Sequence, residues 1–303
     1  MKKLLTAVGV ATLIAAASAA WTLAAPAGTG RTKAEKSAHA LPPLPATVKS
    51  RGRWVIGVKC DFPPFGYITA SGKNAGYDVE VAKTFARLAF GKGSRVSYVC
   101  VTTPSRIPTL QSKRVDIIIS TLTFTKARAQ VIDFSVPYYG ATGRLLVPNN
   151  SNISKLSDMS GKTISTTRGS IYDRWLSNCF KNTKVILTDT TSSALLAVQD
   201  RRAAGFMFDD AFLVGVAAND PNTKLLASRF LAIPWGIGIR KGESDMRAWV
   251  NSRVKLMKKR DQFWAIMQHT IPRRFYATFK KNVPRPTNTL KYPTGADPET
   301  ICS

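Results

Sequence analysis

The chain is 303 residues long and carries 44 Lys and Arg against 18 Asp and Glu, a formal net charge of +26, with 44% hydrophobic residues. That hydrophobic share excludes a disordered polyelectrolyte, and the length permits two α/β units of ordinary size. The basic residues are spread along the chain and no nucleic-acid-binding motif is present, so the field suits an anionic membrane surface or a small acidic ligand rather than nucleic acid.

The N-terminus sets Lys2-Lys3 before an apolar run from Leu4 to Ala20, with small residues at Ala17-Ser-Ala19 and Ala24-Ala25. This is the layout of a cleavable export signal over residues 1–25, Ala-rich and near the lower length limit for a membrane span. Residues 26–50, rich in Ala, Pro, Gly, Thr and Lys without an apolar period, read as a flexible lead-in. The pattern then alternates: strand over 54–58, helix over 79–89, strand over 96–101, short helix over 106–111, strand over 115–119. Such alternation implies a mostly parallel sheet with helices on both faces. Arg144-Leu-Leu-Val147 reads as an outgoing hinge strand. A second unit follows, with strands over 163–166, 184–187 and 205–208 and helices over 171–180, 193–201 and 211–218, and the stretch from Ile233 to Arg240 reads as a returning strand. Two crossings between two α/β units predict a clamshell, with residues 51–146 and 236–303 in lobe 1 and 147–235 in lobe 2. Residues 245–269 place Met246, Trp249, Val250, Val254 and Met257 on one buried helical stripe. Beyond Pro284 the chain is Pro- and Thr-rich and is expected to drape over the surface.

In open α/β sheets the ligand crevice lies at the carboxyl ends of the strands. The stretch Ser120-Thr-Leu-Thr-Phe-Thr-Lys-Ala-Arg128 is the most informative there. Thr125 is a good helix N-cap, and Lys126 and Arg128 follow at once, where the helix dipole disfavours cations unless an anion meets them. Hydroxyls of Ser120, Thr121 and Thr123, free amides of the helix start and the guanidinium fork of Arg128 would converge as a carboxylate site. The plainer alternative is a surface turn with a solvated Arg. Phe62 and Phe65, separated by two prolines, end the first strand, where an aromatic face can cover ligand methylenes; Phe65 is expected in the core. Asp209-Asp210 precede a helix, where at least one serves as a cap. The four cysteines, Cys60, Cys100, Cys179 and Cys302, form an even set in an exported chain, so disulfides are the default, with three connectivities open. His39 and His269 are the only histidines and neither has ligand or triad spacing, so no metal, no cofactor and no Ser-His-Asp chemistry is expected.

Ser120-Thr-x-Thr-x-Thr-x-x-Arg128 followed by Ile132-Asp-Phe-Ser-x-Pro-Tyr-Tyr139 resembles the signature of the polar amino-acid-binding family of periplasmic solute-binding proteins, the receptors of ABC importers. Asp61-Phe-Pro-Pro-Phe-Gly66, Gly76-Tyr-Asp-Val79, Gly161-Lys-Thr163 and Phe208-Asp-Asp210 fall in the same family's order, and the likeness runs from about Arg51 to about Phe279. The resemblance implies a type II clamshell that performs no covalent chemistry, a periplasmic location, a monomer and an inner-membrane ABC permease as partner. It also implies that Cys60 lies beside Cys100, leaving Cys179 to tie Cys302 and the tail to lobe 2. Arg128, with Thr123 and Ser170, would hold an α-carboxylate, and Asp209 an α-ammonium; Phe62, where the family usually has an aromatic, would stand in the ligand wall. Lys59 and Arg106, the latter in an Arg-Ile-Pro-Thr-Leu110 motif, resemble the bases of the subgroup that takes glutamate and aspartate. Relatives that bind Gln, Lys, Arg or His commonly have Asp where Lys59 stands. Two cations in a partly desolvated cleft are costly, and a ligand carboxylate would relieve that cost; the alternative is that both reach solvent. Arg168, Ile171 and Thr191 depart from the usual pattern and leave the ligand open. Another polar or basic amino acid remains an alternative. So does an enzyme resembling cyclohexadienyl dehydratases, for which only Asp61 and Asp209 offer a general acid.

Overall fold

The computed structural model describes residues 41–302. The export signal expected over 1–25 and most of the expected lead-in lie outside the described residues. No helix among the described residues is long and apolar enough to cross a membrane.

The described chain begins with a short helix, α1 (Ala46–Arg51), closed by Gly52 in the left-handed conformation at φ 69°. The end of the expected flexible lead-in is therefore ordered, because Val48 is fully buried and anchors the turn. There follow β1 (Trp54–Val58), a small antiparallel meander of β2 (Asp61–Phe62), β3 (Gly66–Ile68) and β4 (Asn74–Ala75), then α2 (Tyr77–Phe90), β5 (Val96–Cys100), α3 (Arg106–Gln111), β6 (Ile117–Ile118), α4 (Lys126–Val131) and β7 (Ile132–Phe134). The chain continues with β8 (Tyr139–Pro148), β9 (Thr163–Thr167), α5 (Ile171–Cys179), β10 (Lys184–Thr188), α6 (Thr191–Gln199), β11 (Gly205–Asp209), α7 (Asp210–Asn219), β12 (Thr223–Leu225) and β13 (Phe230–Trp235). It closes with β14 (Gly238–Arg240), α8 (Ser244–Lys259), α9 (Gln262–Thr270) and α10 (Tyr276–Phe279).

The first sheet has the order β5-β1-β6-β14-β7, with β1 parallel to β5 and β6, and β14 antiparallel to its neighbours. The second has the order β10-β9-β11-β8-β12, with β13 also on β8. The fold is the type II periplasmic-binding-protein clamshell: two lobes, each a mixed sheet flanked by helices. The outgoing crossing differs from expectation. β8 is a central strand of the second sheet, antiparallel to β11, β12 and β13. The chain thus leaves the first sheet after Phe134, upstream of the expected boundary at 146. The apolar run Leu145-Leu-Val147, fully buried, fits a strand paired on both edges better than a hinge. The return falls between β13 and β14. The segment of helical spacing over 245–269 forms two helices, separated where Asp261 takes φ 53°, and Trp249 packs on Trp54, ring centroids 5.0 Å apart, as the stripe requires. Disulfides join Cys60 to Cys100 and Cys179 to Cys302, with Cα atoms 5.5 and 5.1 Å apart.

Candidate functional site

The loop between β6 and α4 is built by three constraints. Phe124 N–H donates to Pro234 O, and Gly236 N–H to Leu122 O, so the loop is strapped to the return crossing. Thr121 sits at φ 46°, an outlier for a β-branched residue. Its N–H donates to Asp78 Oδ2 at 3.1 Å, and Tyr138 Oη donates to Asp78 Oδ1 at 3.0 Å. Thr125 Oγ1 accepts from the Arg128 N–H at 3.1 Å, the expected N-cap. The Arg128 side chain is thereby aimed back over the loop, donating to Thr123 O at 2.7 Å and, from the second lobe, to Gly169 O at 2.9 Å. The helix-start amides expected to be free are occupied: Lys126 N–H and Ala127 N–H donate to the carboxylate of Asp297 in the C-terminal tail.

Between the lobes lies a narrow chamber of about 10 Å³, room for roughly one water molecule. The first lobe contributes Thr103, Arg106, Thr121 and Thr123, and the second Ser170, Ile171, Tyr172, Phe208 and Asp209. Arg106, the first residue of α3, donates from one nitrogen to Ser120 O and Thr121 O at 3.0 and 3.1 Å. Lys59 is fully buried behind the wall, donating to Thr103 Oγ1 at 3.0 Å with Asp61 Oδ1 at 3.5 Å. Ser170 caps α5, its Oγ accepting from Asp173 N–H. Ser120 Oγ is buried with no protein partner. Asp209 stands at the N-cap position of α7 but its side chain does not cap; it accepts from Tyr172 Oη at 2.7 Å. Asp210 is the structural acid of the pair, tied to Thr142, Arg229 and Asn282.

Burial dominates the electrostatics. It lowers the Lys59 pKa to about 8, Asp61 opposing the shift and Arg106 adding to it. It raises the Asp209 carboxyl to about 7, against the hydrogen bond from Tyr172 and with Asp210 adding to the rise. The Arg106 proton is loosened by burial and then by Arg128, and held by Asp209; a guanidinium remains charged regardless. The chamber therefore sets buried side chains of both signs side by side, the arrangement that gains most from a ligand carrying the complementary charges.

Residues 54–271 match the profile of the bacterial extracellular solute-binding proteins, family 3. The chain belongs to this family. The ABC transporter glutamine-binding protein of Bacillus subtilis is 29% identical over 238 residues, 78% of this chain and 87% of the relative. The L-glutamate/L-aspartate-binding protein of Pseudomonas aeruginosa is 29% identical over 222 residues, 68% of this chain and 72% of the relative. Among solved structures, the solute receptor for L-cysteine of Neisseria gonorrhoeae superposes with a TM-score of 0.76 at 28% identity, covering 78% of this chain and 98% of that one. As a family 3 solute-binding protein, the molecule is an amino-acid receptor of ABC transport and not an enzyme.

In this solute-binding protein Arg106, Thr121, Thr123, Ser170 and Asp209 meet around one chamber, with Lys59 and Ser120 buried beside it and Arg128 at its edge. Phe62 differs from its expected place. Its ring is fully buried among Phe65, Phe208, Phe212 and Trp235, and the aromatics that line the chamber are Phe208, packed against it, and Tyr172. Arg168 turns to the surface, 3.0 Å from Asp189. The Thr191 N–H donates to Asp61 Oδ2 at 2.8 Å, a bond across the lobes. Tyr172, Thr103 and Asp78 were not singled out from sequence. A Tyr two residues into a helix and a Thr in a loop carry no signal of their own, whereas Asp78, an acid between the apolar Tyr77 and Val79 at the start of α2, was a readable one.

Proposed function

We propose that the chain captures an acidic amino acid, glutamate or aspartate, in the periplasm and delivers it as a monomeric receptor to an ABC permease. The carrying observation is the pair of buried cations: Arg106, which meets only backbone carbonyls, and Lys59, whose ammonium burial disfavours. A distal ligand carboxylate would relieve both. In this reading Arg128 with Ser120, Thr121, Thr123 and Ser170 holds the α-carboxylate, Asp209 the α-ammonium, and Phe208 with Tyr172 covers the methylenes. A zwitterion bridging Arg128 and Asp209 touches both lobes at once, so its contacts are made only when the cleft is closed. The likeness to the Pseudomonas glutamate/aspartate receptor supports this reading.

One observation favours a neutral polar side chain instead: Lys59 already has Asp61 and Thr103 for partners, so of these two cations it is Arg106 that lacks a counter-ion. Calorimetry with glutamate, aspartate, glutamine, cysteine and arginine on the wild type and on Arg106→Ala separates the two. The acidic reading expects glutamate or aspartate to bind tightest and Arg106→Ala to weaken it by about two orders of magnitude, with a much smaller loss for glutamine. Tightest binding of glutamine or cysteine, or equal losses for glutamate and glutamine, would sink it.

A further inference from the structure

The C-terminal tail is fastened to both lobes beside the cleft. On the first lobe Tyr292 stacks on Phe124, ring centroids 4.2 Å apart, and donates to Ser135 O at 2.7 Å. Five residues before the latching cysteine, Asp297 accepts from the Lys126 and Ala127 amides at 2.7 and 3.2 Å, next to Arg128. The tail then steps onto α5 of the second lobe, whose cap Ser170 lines the chamber. There Trp175 donates to Ile301 O at 2.8 Å, Asn178 to Glu299 O at 3.1 Å, and Cys302 is bonded to Cys179. Glu299 is 3% exposed, with Oε1 3.6 Å from Arg174 and Oε2 without a partner.

We propose that the segment from Asp297 to Cys302 is a strap across the cleft, latched by the Cys179–Cys302 disulfide, that limits how far and how often the two lobes part. The geometry sets the limit. Five residues span at most about 17 Å fully extended, so with Asp297 seated on α4 and Cys302 bonded to α5 the lobes cannot separate far on that side. Wide opening requires Asp297 to leave the helix start, which gives up two charge-assisted hydrogen bonds and a favourable dipole contact. The same carboxylate lies beside Arg128, the side chain that reaches Gly169 across the gap, so release of the strap and release of the lobes are one event. The strap acts whichever amino acid fills the cleft.

Amide hydrogen exchange on the ligand-free, oxidised full chain tests this, comparing wild type with Cys179→Ser/Cys302→Ser, which keeps Cys60–Cys100. The Thr191 amide is the reporter, because it bonds to Asp61 across the lobes and does not touch the tail. The strap predicts about tenfold faster exchange at Thr191 in the double variant, the effect of losing one charge-assisted contact, with β1 (Trp54–Val58) unchanged. A tail that only covers the surface would free the Lys126 and Ala127 amides and leave Thr191 as protected as in the wild type, which overturns the proposal. If β1 loses protection too, the fold is lost, and Asp297→Asn, which removes one half-exposed carboxylate contact, decides by the same comparison.

Discussion

At the residue scale the cleft is a set of charges held where burial opposes them. Asp209 is the clearest case, with its carboxyl raised from an ordinary 3.8 to about 7. Because the folded-state value is the higher one, the neutral acid stabilises the fold fully below pH 3.8, and that contribution is lost as the pH rises through 7. At pH 8 the ionised group therefore costs the ligand-free protein on the order of 4 kcal/mol. Asp209→Asn, which still accepts from Tyr172, is expected to raise the thermal midpoint of the ligand-free protein by several degrees at pH 8 and by almost nothing at pH 4. It should also abolish amino-acid binding if Asp209 holds the α-ammonium. A lowered midpoint at pH 8 would show that the burial cost is compensated elsewhere. Arg106 and Arg128 were legible as cations in the opening turn of a helix, where the dipole asks for an anion, and Asp209 through the resemblance of its motif to the family's. Phe208 and Tyr172 were not, because an aromatic residue in a cleft and one in a core look the same in sequence.

At the element scale the decisive unit is α4 (Lys126–Val131), six residues that could not persist alone. The Thr125 cap, the Asp297 carboxylate and the bonds from Arg128 to two carbonyls hold it. Thr125→Ala is expected to cost about 1 kcal/mol in urea denaturation and, by loosening the turn that aims Arg128, to weaken ligand binding as well. A stability loss with unchanged affinity would separate the cap from the aim of the guanidinium. The N-cap was readable as a Thr before a short basic run. What lies on its free amides was not, since Asp297 is 172 positions from Thr125 and belongs to a tail with no pattern of its own. The same limit explains β8. A buried apolar strand reads alike whether it hangs between lobes or is paired on both edges, and pairing is a non-local fact.

At the scale of the whole molecule the lobes meet through few direct bonds, Arg128 to Gly169 and Thr191 to Asp61 among them, so closure is sensitive to each. Asp61 is the telling one, because its other oxygen faces Lys59. Asp61→Asn keeps an acceptor for Thr191 while removing a negative charge beside the ammonium. In calorimetry at low salt it should favour glutamate over glutamine by about five- to tenfold relative to wild type, and an unchanged ratio would place Lys59 outside the specificity pocket. The sequence by itself determined the α/β alternation, the two-lobed order of elements and the even set of cysteines, because these follow from local periodicity and composition, while the clamshell class and the charged types around the cleft were implied by the resemblance of its motifs to the solute-binding family. Only the tertiary structure decided which strand carries the crossing, which aromatic faces the chamber, which acid neutralises Lys59 and where the tail is seated. Each of those depends on residues far apart in the chain arriving at one place, and distance along the chain carries no record of distance in space.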